Sequence, residues 1–570
     1  MSIQRYFAEP TIYAQLFLLT PNKDGTGVGI LKLKLFSFSD GRHIFTLEPI
    51  ACVASRQQSA AGQPEMVPPL VSYTKITDWM NQTYDHSEPR ADPVLRSRTA
   101  VPLTVIECTT RSLIILPENE AYVTVSYVWG SVTFDQTTTQ SGKYEPNSLP
   151  LQLPSTIEDS ITACLALNFR YLWVDRYCIH GSHDVCAQQI KHMDKIYSES
   201  ALTIIACAGA DSSYGLPGVS RPRKPDPSIE IKGLGYLRAI PAMYDIESSV
   251  WATRGWTYQE ALLSKRQLYF TEKQLFLGLY DKIESEAVVH GGDWVSGAIS
   301  DVARSKHSLG MSNVYDCIGE YSERQLSYPE DILNALLGIL SKFHETRGVF
   351  HVWGVPFKGS NSNPPEGSTQ SNELVFEESL CWSANKQTPR KGFPTWSWTS
   401  RDGVVRWPIM FPLTLVSAPS NAGAAPKFEV ELRSGQLCSL SEYQVRYDHL
   451  NNYSEAVLSQ DRPSQFIHVE AFVSPIVKIQ DMVISDRVVL RSSTGEPIFL
   501  EVVGSERLAP GLPGSLVAVH LVTGSYAHVR TKYALIVRDM GDHWERAVLI
   551  EDIECLLEGA VKVRRKLRLG

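Results

Sequence analysis

Hydrophobic and polar positions follow two different periods within residues 121–207. Residues 122–128 and 171–174 are short, strand-like apolar runs, and the second run stops at Asp175. Between these runs the apolar residues recur at helical spacing, and residues 201–207 form a third, mostly apolar run. This change from strand to helix periodicity and back predicts the element order β-α-β-α-β.

Polar residues mark where the two helices of this unit should begin. Ser155 is followed three residues later by Glu158, which is the spacing of a capping box. Asp184 can cap the second helix. The apolar residues of that helix fall on one face: Cys186, Ile190, Met193 and Tyr197.

Strands joined by helical crossovers pair in parallel, so their carboxyl ends meet at one edge of the sheet. The loops that begin at Trp129, Asp175 and Cys207 should therefore lie side by side. Ligands of open α/β sheets bind at this edge. We expect any functional site of the chain to be located there.

The segments before this unit are rich in predicted strands. Residues 30–39 and 42–47 are separated by Asp40-Gly41, which predicts a β-hairpin. A linker with a helical patch near residues 76–80 follows. Residues 1–100 are therefore expected to form a β-rich N-terminal segment with a linker.

The segments after it change character again. The predicted α/β domain and its helical extension occupy residues 101–410, and strand-like runs separated by turn residues fill residues 425–560. The latter pattern predicts a C-terminal β-sandwich or barrel. Residues 562–568 carry five basic side chains. They are interpreted either as a solvated chain end or as a nuclear or anionic-surface signal.

Composition narrows the class of protein. The 570 residues are 43% hydrophobic, which is typical of a chain that buries a large core. A net charge of −8 argues against a nucleic-acid partner, because such binders depend on clustered Lys and Arg. The N-terminus lacks the pattern of a signal peptide, and no run approaches the ~18 apolar residues of a membrane span. The sequence predicts a soluble, cytoplasmic protein without a membrane span.

Four segments resemble, in the same order, the successive motifs of the fungal heterokaryon incompatibility (HET) domain: SYVWG at 126–130, LWVDRYCI at 172–179, MDKIYSESALTIIA at 193–206 and RGWTYQEALLSKRQLYF at 254–270. Further similarity downstream includes GLPG at 215–218 and WSW at 396–398, so the resemblance covers roughly residues 100–400. HET domains look like distant relatives of the TIR domain. The resemblance therefore implies an α/β, flavodoxin-like fold with an open, mostly parallel sheet.

The resemblance also implies a function in fungal non-self recognition, a form of innate immunity. In that function the protein is a self-associating module that signals programmed cell death through a protein partner. The alternative is a TIR-like NAD glycohydrolase, or another nucleotide-binding enzyme, that uses a strand-end carboxylate. NAD would then be the substrate, and no cofactor is otherwise predicted.

This chain departs from the family at one position that matters for catalysis. Many HET domains have an acidic residue in the helix after the DRYCI segment, whereas Gln188 and Gln189 stand here. A carboxamide cannot act as a general base or carry the charge. Asp184 or Glu260 could replace the missing acid if the fold brings either one to the sheet edge. Signalling therefore ranks above catalysis.

Three carboxylates are candidate catalytic residues. Asp175 ends the second strand, where it could hold a ribose hydroxyl or simply cap the following turn. Glu260 lies in the first turns of a helix predicted to begin near Thr257. It could be an acid or anchoring group, or the ion-pair partner of Arg254. Asp184 is the third candidate.

The candidate ligand-binding residues surround these acids: Ser126, Tyr127, Trp129, Gly130, Cys178, Arg254 and Trp256. Trp129 beside Gly130 suits stacking on a planar ligand and close approach of the backbone. The other interpretation of Trp129 is an aromatic lid over the end of the core.

Other site chemistries find less support. Cys178, His180, His183 and Cys186 have spacings that could suit zinc. However, Cys186 falls on the apolar face of its predicted helix, so no metal site is predicted. The chain also lacks a G-x-S-x-G elbow and a Walker-type phosphate loop.

Overall fold

The computed structural model describes residues 11–19, 30–39, 42–47, 50–53, 67–82, 102–130, 149–180, 186, 189–190, 192–224, 228–231, 235–240, 244–279, 282–286, 311–358, 372–386, 388–407, 426–450, 462–476, 487–491, 497–503, 515–526, 529–552 and 562–570. The chain forms two compact units, Met1–His307 and Ser308–Gly570. Across the part of the chain that is described, no helix is long and apolar enough to cross a lipid bilayer.

The first unit contains, in chain order, β1 (Thr11–Leu19), β2 (Ile30–Ser39), β3 (Arg42–Leu47), β4 (Ile50–Val53), α1 (Tyr73–Gln82), β5 (Thr104–Glu107), β6 (Ser112–Ile115), β7 (Tyr122–Ser126), α2 (Ser155–Ala166), β8 (Tyr171–Trp173), α3 (Asp175–Cys178), α4 (Met193–Glu199), β9 (Leu202–Ala206), β10 (Ser228–Ile231), β11 (Gly235–Ile240), α5 (Tyr244–Glu247), a 3₁₀ helix (Trp251–Thr253), α6 (Gly255–Leu263), β12 (Arg266–Phe270), β13 (Leu275–Leu279) and β14 (Lys282–Ser285).

These strands form two sheets. In the first, β2 pairs antiparallel with β1, β3 and β4, which confirms the predicted hairpin over residues 30–47. Strand β11 joins β4, and β10 joins β11. The second sheet has the order β14-β13-β12-β9-β7-β8-β5-β6.

The eight-stranded sheet is mixed. Strands β12, β9, β7 and β8 pair in parallel, and the helices between them confirm the predicted β-α-β-α-β order. Strands β5, β6, β13 and β14 are added antiparallel at the two sides. The prediction of a mostly parallel sheet is therefore wrong for the flanking strands, because β6 and β13 each follow their neighbour through a short turn.

The capping box predicted at Ser155 does not form. Ser155 is the first residue of α2 itself, the cap position is Pro154, and no side chain caps the helix. Glu158 instead accepts two hydrogen bonds from Arg111, at 2.8 and 2.6 Å, which join α2 to the β5–β6 turn. A long-range ion pair has replaced the local interaction.

The second unit contains α7 (Met311–Ser322), 3₁₀ turns at Pro329–Ile332 and Asn334–Leu336, α8 (Leu337–Arg347), β15 (Val349–Val352), β16 (Val355–Lys358), α9 (Asn372–Ser379), β17 (Ser383–Ala384), a 3₁₀ turn at Trp398–Ser400, β18 (Val405–Arg406), β19 (Lys427–Leu432), β20 (Leu437–Ser439), α10 (Leu440–Leu450), β21 (Pro463–Pro475), β22 (Arg487–Arg491), β23 (Pro497–Val502), β24 (Leu516–Tyr526), β25 (Val529–Asp539), β26 (Trp544–Asp552) and β27 (Val563–Leu569).

The C-terminal strands close into a barrel-like sheet, which agrees with the predicted β architecture. Strand β27 pairs with both β21 and β26, so that β21, β24, β25, β26 and β27 form a closed ring. The basic segment predicted as a solvated end or a signal is this closing strand. Its cations pair with carboxylates of β19 and β21: Arg564 with Glu470, Lys566 with Glu429 and Arg568 with Glu431.

The WSW segment belongs to the core of the second unit. Trp396 and Trp398 are buried, and their indole N–H groups donate to the backbone carbonyls of Gln465 and Gly354. A buried indole needs such an acceptor. These tryptophans therefore have a structural role in this unit.

Candidate functional site

Three loops meet at the carboxyl edge of the parallel strands, as the β-α-β-α-β order predicts. In the sheet β7 lies between β9 and β8. Trp129 follows β7, Asp175 and Arg176 follow β8, and Asp211 follows β9. Chain topology thus places the predicted candidates Trp129 and Asp175 on neighbouring loops.

Glu260 reaches the same region from α6. The residue is 5% exposed, and its Oε2 accepts a 2.5 Å hydrogen bond from the hydroxyl of Ser126, the last residue of β7. The Ser126 hydroxyl in turn accepts a 2.7 Å hydrogen bond from the indole N–H of Trp251. The two bonds fix the direction of the Ser126 proton, which is donated to Glu260.

The environment of Glu260 favours its neutral form. Burial raises the pKa of the Glu260 carboxyl to about 8, and the negative charge of Asp175 acts in the same direction. The hydrogen bond from Ser126, the hydrogen bond with Tyr197 and the charge of Arg254 oppose this increase of the pKa, but they do not cancel it. At neutral pH Glu260 is therefore mostly protonated.

Asp175 is the first residue of α3, and both of its carboxylate oxygens are engaged. Oδ2 accepts a 2.9 Å hydrogen bond from the Trp129 indole, and Oδ1 accepts a 2.7 Å bond from the backbone N–H of Arg176. Burial raises the pKa of Asp175 to about 6, while these bonds, Tyr127 and the Arg176 charge lower it. The pKa of Glu260 is therefore the higher of the two, and Asp175 is largely ionised at pH 7.

Trp129 lies at the surface of this edge in a fixed orientation. Its side chain is 44% exposed, the guanidinium of Arg176 lies 5.7 Å from its ring, and its carbonyl accepts a 2.9 Å bond from Ser212. Gly130 follows with φ of +76°, and a Cβ there would collide with Asp211. Only glycine fits this close approach of two loops.

The structure also describes three further candidates, Arg254, Trp256 and Cys178. The Arg254 carbonyl accepts a bond from Thr257 in the first turn of α6, which begins at Gly255, two residues before the predicted start near Thr257. Trp256 is partly buried against the main core. The Cys178 thiol is buried and its pKa is raised to about 12, so it is not a nucleophile at neutral pH.

Other predicted positions are not part of this arrangement. Asp184 and His183 lie outside the described residues. Gln189 lines a separate cavity of about 40 Å³ together with Cys178, Trp173 and His192. Among the described residues, no three His, Cys, Asp or Glu side chains are grouped so that they could hold a metal ion.

Several residues that shape this region are not among those predicted from the sequence. The hydroxyl of Tyr197, which lies on the helix face predicted to be apolar, donates to the Val125 carbonyl at 3.1 Å and interacts with Glu260. Trp251 precedes the RGWTYQE segment. Asp159, buried on α2, holds the GLPG loop by accepting from the N–H of Leu216 at 2.6 Å and the hydroxyl of Ser220 at 2.7 Å. An acid inside the apolar pattern of α2 was the available signal for Asp159.

Residues 122–260 match the family model described as "Heterokaryon incompatibility protein (HET)". The match begins at the first residue of β7 and ends at Glu260, so it spans β7, β8, β9 and the first part of α6. Neither the curated proteins nor the solved structures contain a significant match to the chain.

Proposed function

Because residues 122–260 form a HET domain, we propose that the chain acts in fungal non-self recognition as a self-associating cell-death signalling module. A HET domain is itself the reason to assign the chain to heterokaryon incompatibility. The finer proposal covers self-association, a protein partner in the cytoplasm and the absence of catalysis.

One observation carries the choice of signalling over catalysis: the acids at the sheet edge act as hydrogen-bond acceptors within the domain. Asp175 uses one oxygen for Trp129 and the other for the Arg176 backbone. Glu260 is 5% exposed and accepts from Ser126. Carboxylates used in this way orient loops and helices. Gln189, at the position where an acid is expected, supplies no charge.

A TIR-like NAD glycohydrolase is the second candidate, and the two pKa values favour it. At pH 7 Glu260 is mostly protonated and Asp175 mostly ionised. A proton donor beside a carboxylate that steadies an oxocarbenium-like centre is the arrangement used to cleave glycosidic bonds. For this reaction Glu260 would have to reach the substrate from its buried position.

The two candidates are separated by NAD turnover measured on the purified full-length chain at concentrations where it associates. We expect association without loss of NAD, and cell death when the chain is expressed in a fungal host. Loss of NAD that disappears in Glu260→Gln or Asp175→Asn would establish the enzyme. A chain that stays monomeric and harmless on expression would contradict the signalling proposal.

A further inference from the structure

The edge patch, which we define as Trp129, Arg176 and Asp211, combines an exposed aromatic side chain with two opposite charges. Trp129 is among the most exposed large apolar residues that the structure describes in the HET domain, at 44%. Soluble proteins expose single apolar side chains often. What distinguishes Trp129 is how firmly it is held.

Four interactions fix the Trp129 side chain and its backbone. The indole N–H donates to Asp175, and the ring lies beside the Arg176 guanidinium. The carbonyl accepts from Ser212, and the next residue is Gly130 packed on Asp211. A rigid aromatic ring loses little conformational entropy on binding, which is a common property of the residues that anchor protein interfaces.

The order of the strands places the two charges on opposite sides of this ring. Strand β7 carries Trp129 and lies between β9, which leads to Asp211, and β8, which leads to Arg176. A Cβ on residue 130 would collide with Asp211, and the Arg176 guanidinium lies 5.7 Å from the centre of the Trp129 ring, so both charged side chains are close to the ring. Asp211 remains a carboxylate because its oxygen accepts from the N–H and hydroxyl of Ser213, at 2.8 and 2.6 Å.

We propose that two copies of this chain associate through the edge patch in an isologous contact, with the two Trp129 rings meeting at the two-fold axis. A two-fold axis that passes through Trp129 in the plane of the contact, perpendicular to the line from Asp211 to Arg176, turns the cationic side of one patch onto the anionic side of the other. Arg176 of each copy then faces Asp211 of its partner. This inference rests on the self-association in the proposed function and names the surface responsible for it.

Charge complementarity is the reason to choose a second copy as the occupant. An isologous interface must be complementary to itself, and a patch ordered as anion, aromatic ring and cation meets that requirement. A planar small molecule stacked on Trp129 would use the ring but would give Arg176 and Asp211 no reciprocal role. The charge pattern therefore favours the dimer over the ligand.

The test measures the dissociation constant of the full-length chain by analytical ultracentrifugation at low and high salt. We expect Trp129→Ala to weaken association about 30-fold, the effect of losing an anchor residue. Arg176→Glu and Asp211→Arg should each weaken it about tenfold at low salt and less at high salt. The double variant Arg176→Glu with Asp211→Arg should restore affinity to within about threefold of the original, because both pairs reform with reversed signs.

Two controls keep folding separate from association. Tyr328→Ala removes an aromatic side chain that is 66% exposed and should leave the dissociation constant unchanged. Asp211→Asn removes the charge but keeps an oxygen for Ser213, so it should reproduce the weakening while the variant still unfolds cooperatively, with only a small change of its thermal unfolding midpoint. If Trp129→Ala associates as tightly as the wild-type chain, the edge patch is not the dimer contact, although the chain still self-associates. A wild-type chain that is monomeric at all concentrations would refute both the isologous contact and self-association. The isologous contact would also be refuted if the double variant associated no more tightly than Arg176→Glu or Asp211→Arg alone.

Discussion

The two faces of strand β7 bury different chemistry. Val123 and Val125 belong to the same apolar core as Ile157 and Ile161 of α2. Thr124 and Ser126 alternate with them and are equally buried, but their hydroxyls are hydrogen-bonded. Thr124 pairs with Thr203 of β9 at 2.7 Å, Thr203 pairs with Ser264 at 2.6 Å, and Ser126 donates to Glu260.

The difference follows from which helices cover each face. With the order β9-β7-β8 and right-handed crossovers, α2 lies on one face and α4 and α6 lie on the other. An apolar face tolerates small shifts of its helix, whereas a hydrogen-bonded face requires each donor to meet its acceptor. The polar face therefore fixes the position of α6, and with it the carboxyl that has the raised pKa.

The largest expected effect is the pH dependence that Glu260 contributes on the polar face. Glu260 has a pKa of about 8 in the folded protein against an ordinary value of 4.5, so between these values the folded state binds more protons than the unfolded one. The free energy of unfolding should therefore fall as pH rises from about 4.5 to 8, by up to about 5 kcal/mol. Asp175 adds to this fall below pH 6.

Urea denaturation at several pH values tests this prediction, and Glu260→Gln is expected to reduce the slope of the free energy of unfolding against pH between about 4.5 and 8. Asp211→Asn is the matched control, because Asp211 contributes a dependence of stability on pH that has the opposite sign to that of Glu260. Hydrogen bonds from Ser213 lower the pKa of Asp211, so its contribution is present above its ordinary pKa and is lost as pH falls. A wild-type chain whose stability is constant between pH 5 and 8 would show that Glu260 is not buried as described.

On the apolar face the expected effect does not depend on pH. Ile157 is fully buried on α2, so Ile157→Ala should lower the free energy of unfolding by about 2–5 kcal/mol through lost burial and the cavity left behind. The same loss at pH 5 and pH 8 in denaturant titrations would separate this face from the polar one. A loss that changes with pH would mean that the two faces are coupled.

A smaller loss of stability is expected when a hydroxyl is removed from the polar face or added to the apolar face at two adjacent residues of β7. Thr124→Val leaves the buried hydroxyl of Thr203 with one partner fewer, and Val123→Thr places a hydroxyl in the apolar core. Each should cost about 1–3 kcal/mol, although the shape of the side chain barely changes. If the Thr124→Val protein were as stable as the wild type, the hydroxyl network would have no role in holding the face together.

The smallest effect concerns the exposed end of the strand. Trp129→Phe keeps an aromatic ring but removes the N–H that donates to Asp175. Because that bond lowers the pKa of Asp175, its loss should raise the pKa further above 6, with a change in stability of about 1 kcal/mol or less. Infrared titration of the carboxyl band measures the shift, and an unchanged pKa would argue against the bond.

The apolar face could be predicted from the sequence, whereas much of the polar face could not. Periodicity gave β7, α2, β8 and β9 because each buries a regular apolar stripe. It could not show that Ser126 bonds Trp251 and Glu260, since these residues lie 125 and 134 positions apart. The capping-box rule also failed, because Glu158 pairs with the distant Arg111 and does not take part in the predicted cap.

The same limit applies to charged residues far apart in the sequence. Arg223 and Glu286 form a fully buried ion pair, and Arg223 also donates to the carbonyls of Pro68 and Leu70, which fixes the segment before α1 to the domain. Three cations of the basic strand β27 pair with acids more than 90 residues earlier in the chain. Composition identified these charges but not their partners.

The protonation state of Glu260 tests the account most directly. Isotope-edited infrared spectroscopy of the wild-type chain, with Glu260→Gln as the difference reference, resolves the band of a protonated carboxyl. We predict that this band persists at pH 7, disappears with a midpoint near pH 8 and is unaffected by NAD. A Glu260 that titrates near 4.5, or whose band shifts when NAD is added, would show a carboxyl that faces solvent or ligand and would contradict its role as an internal acceptor.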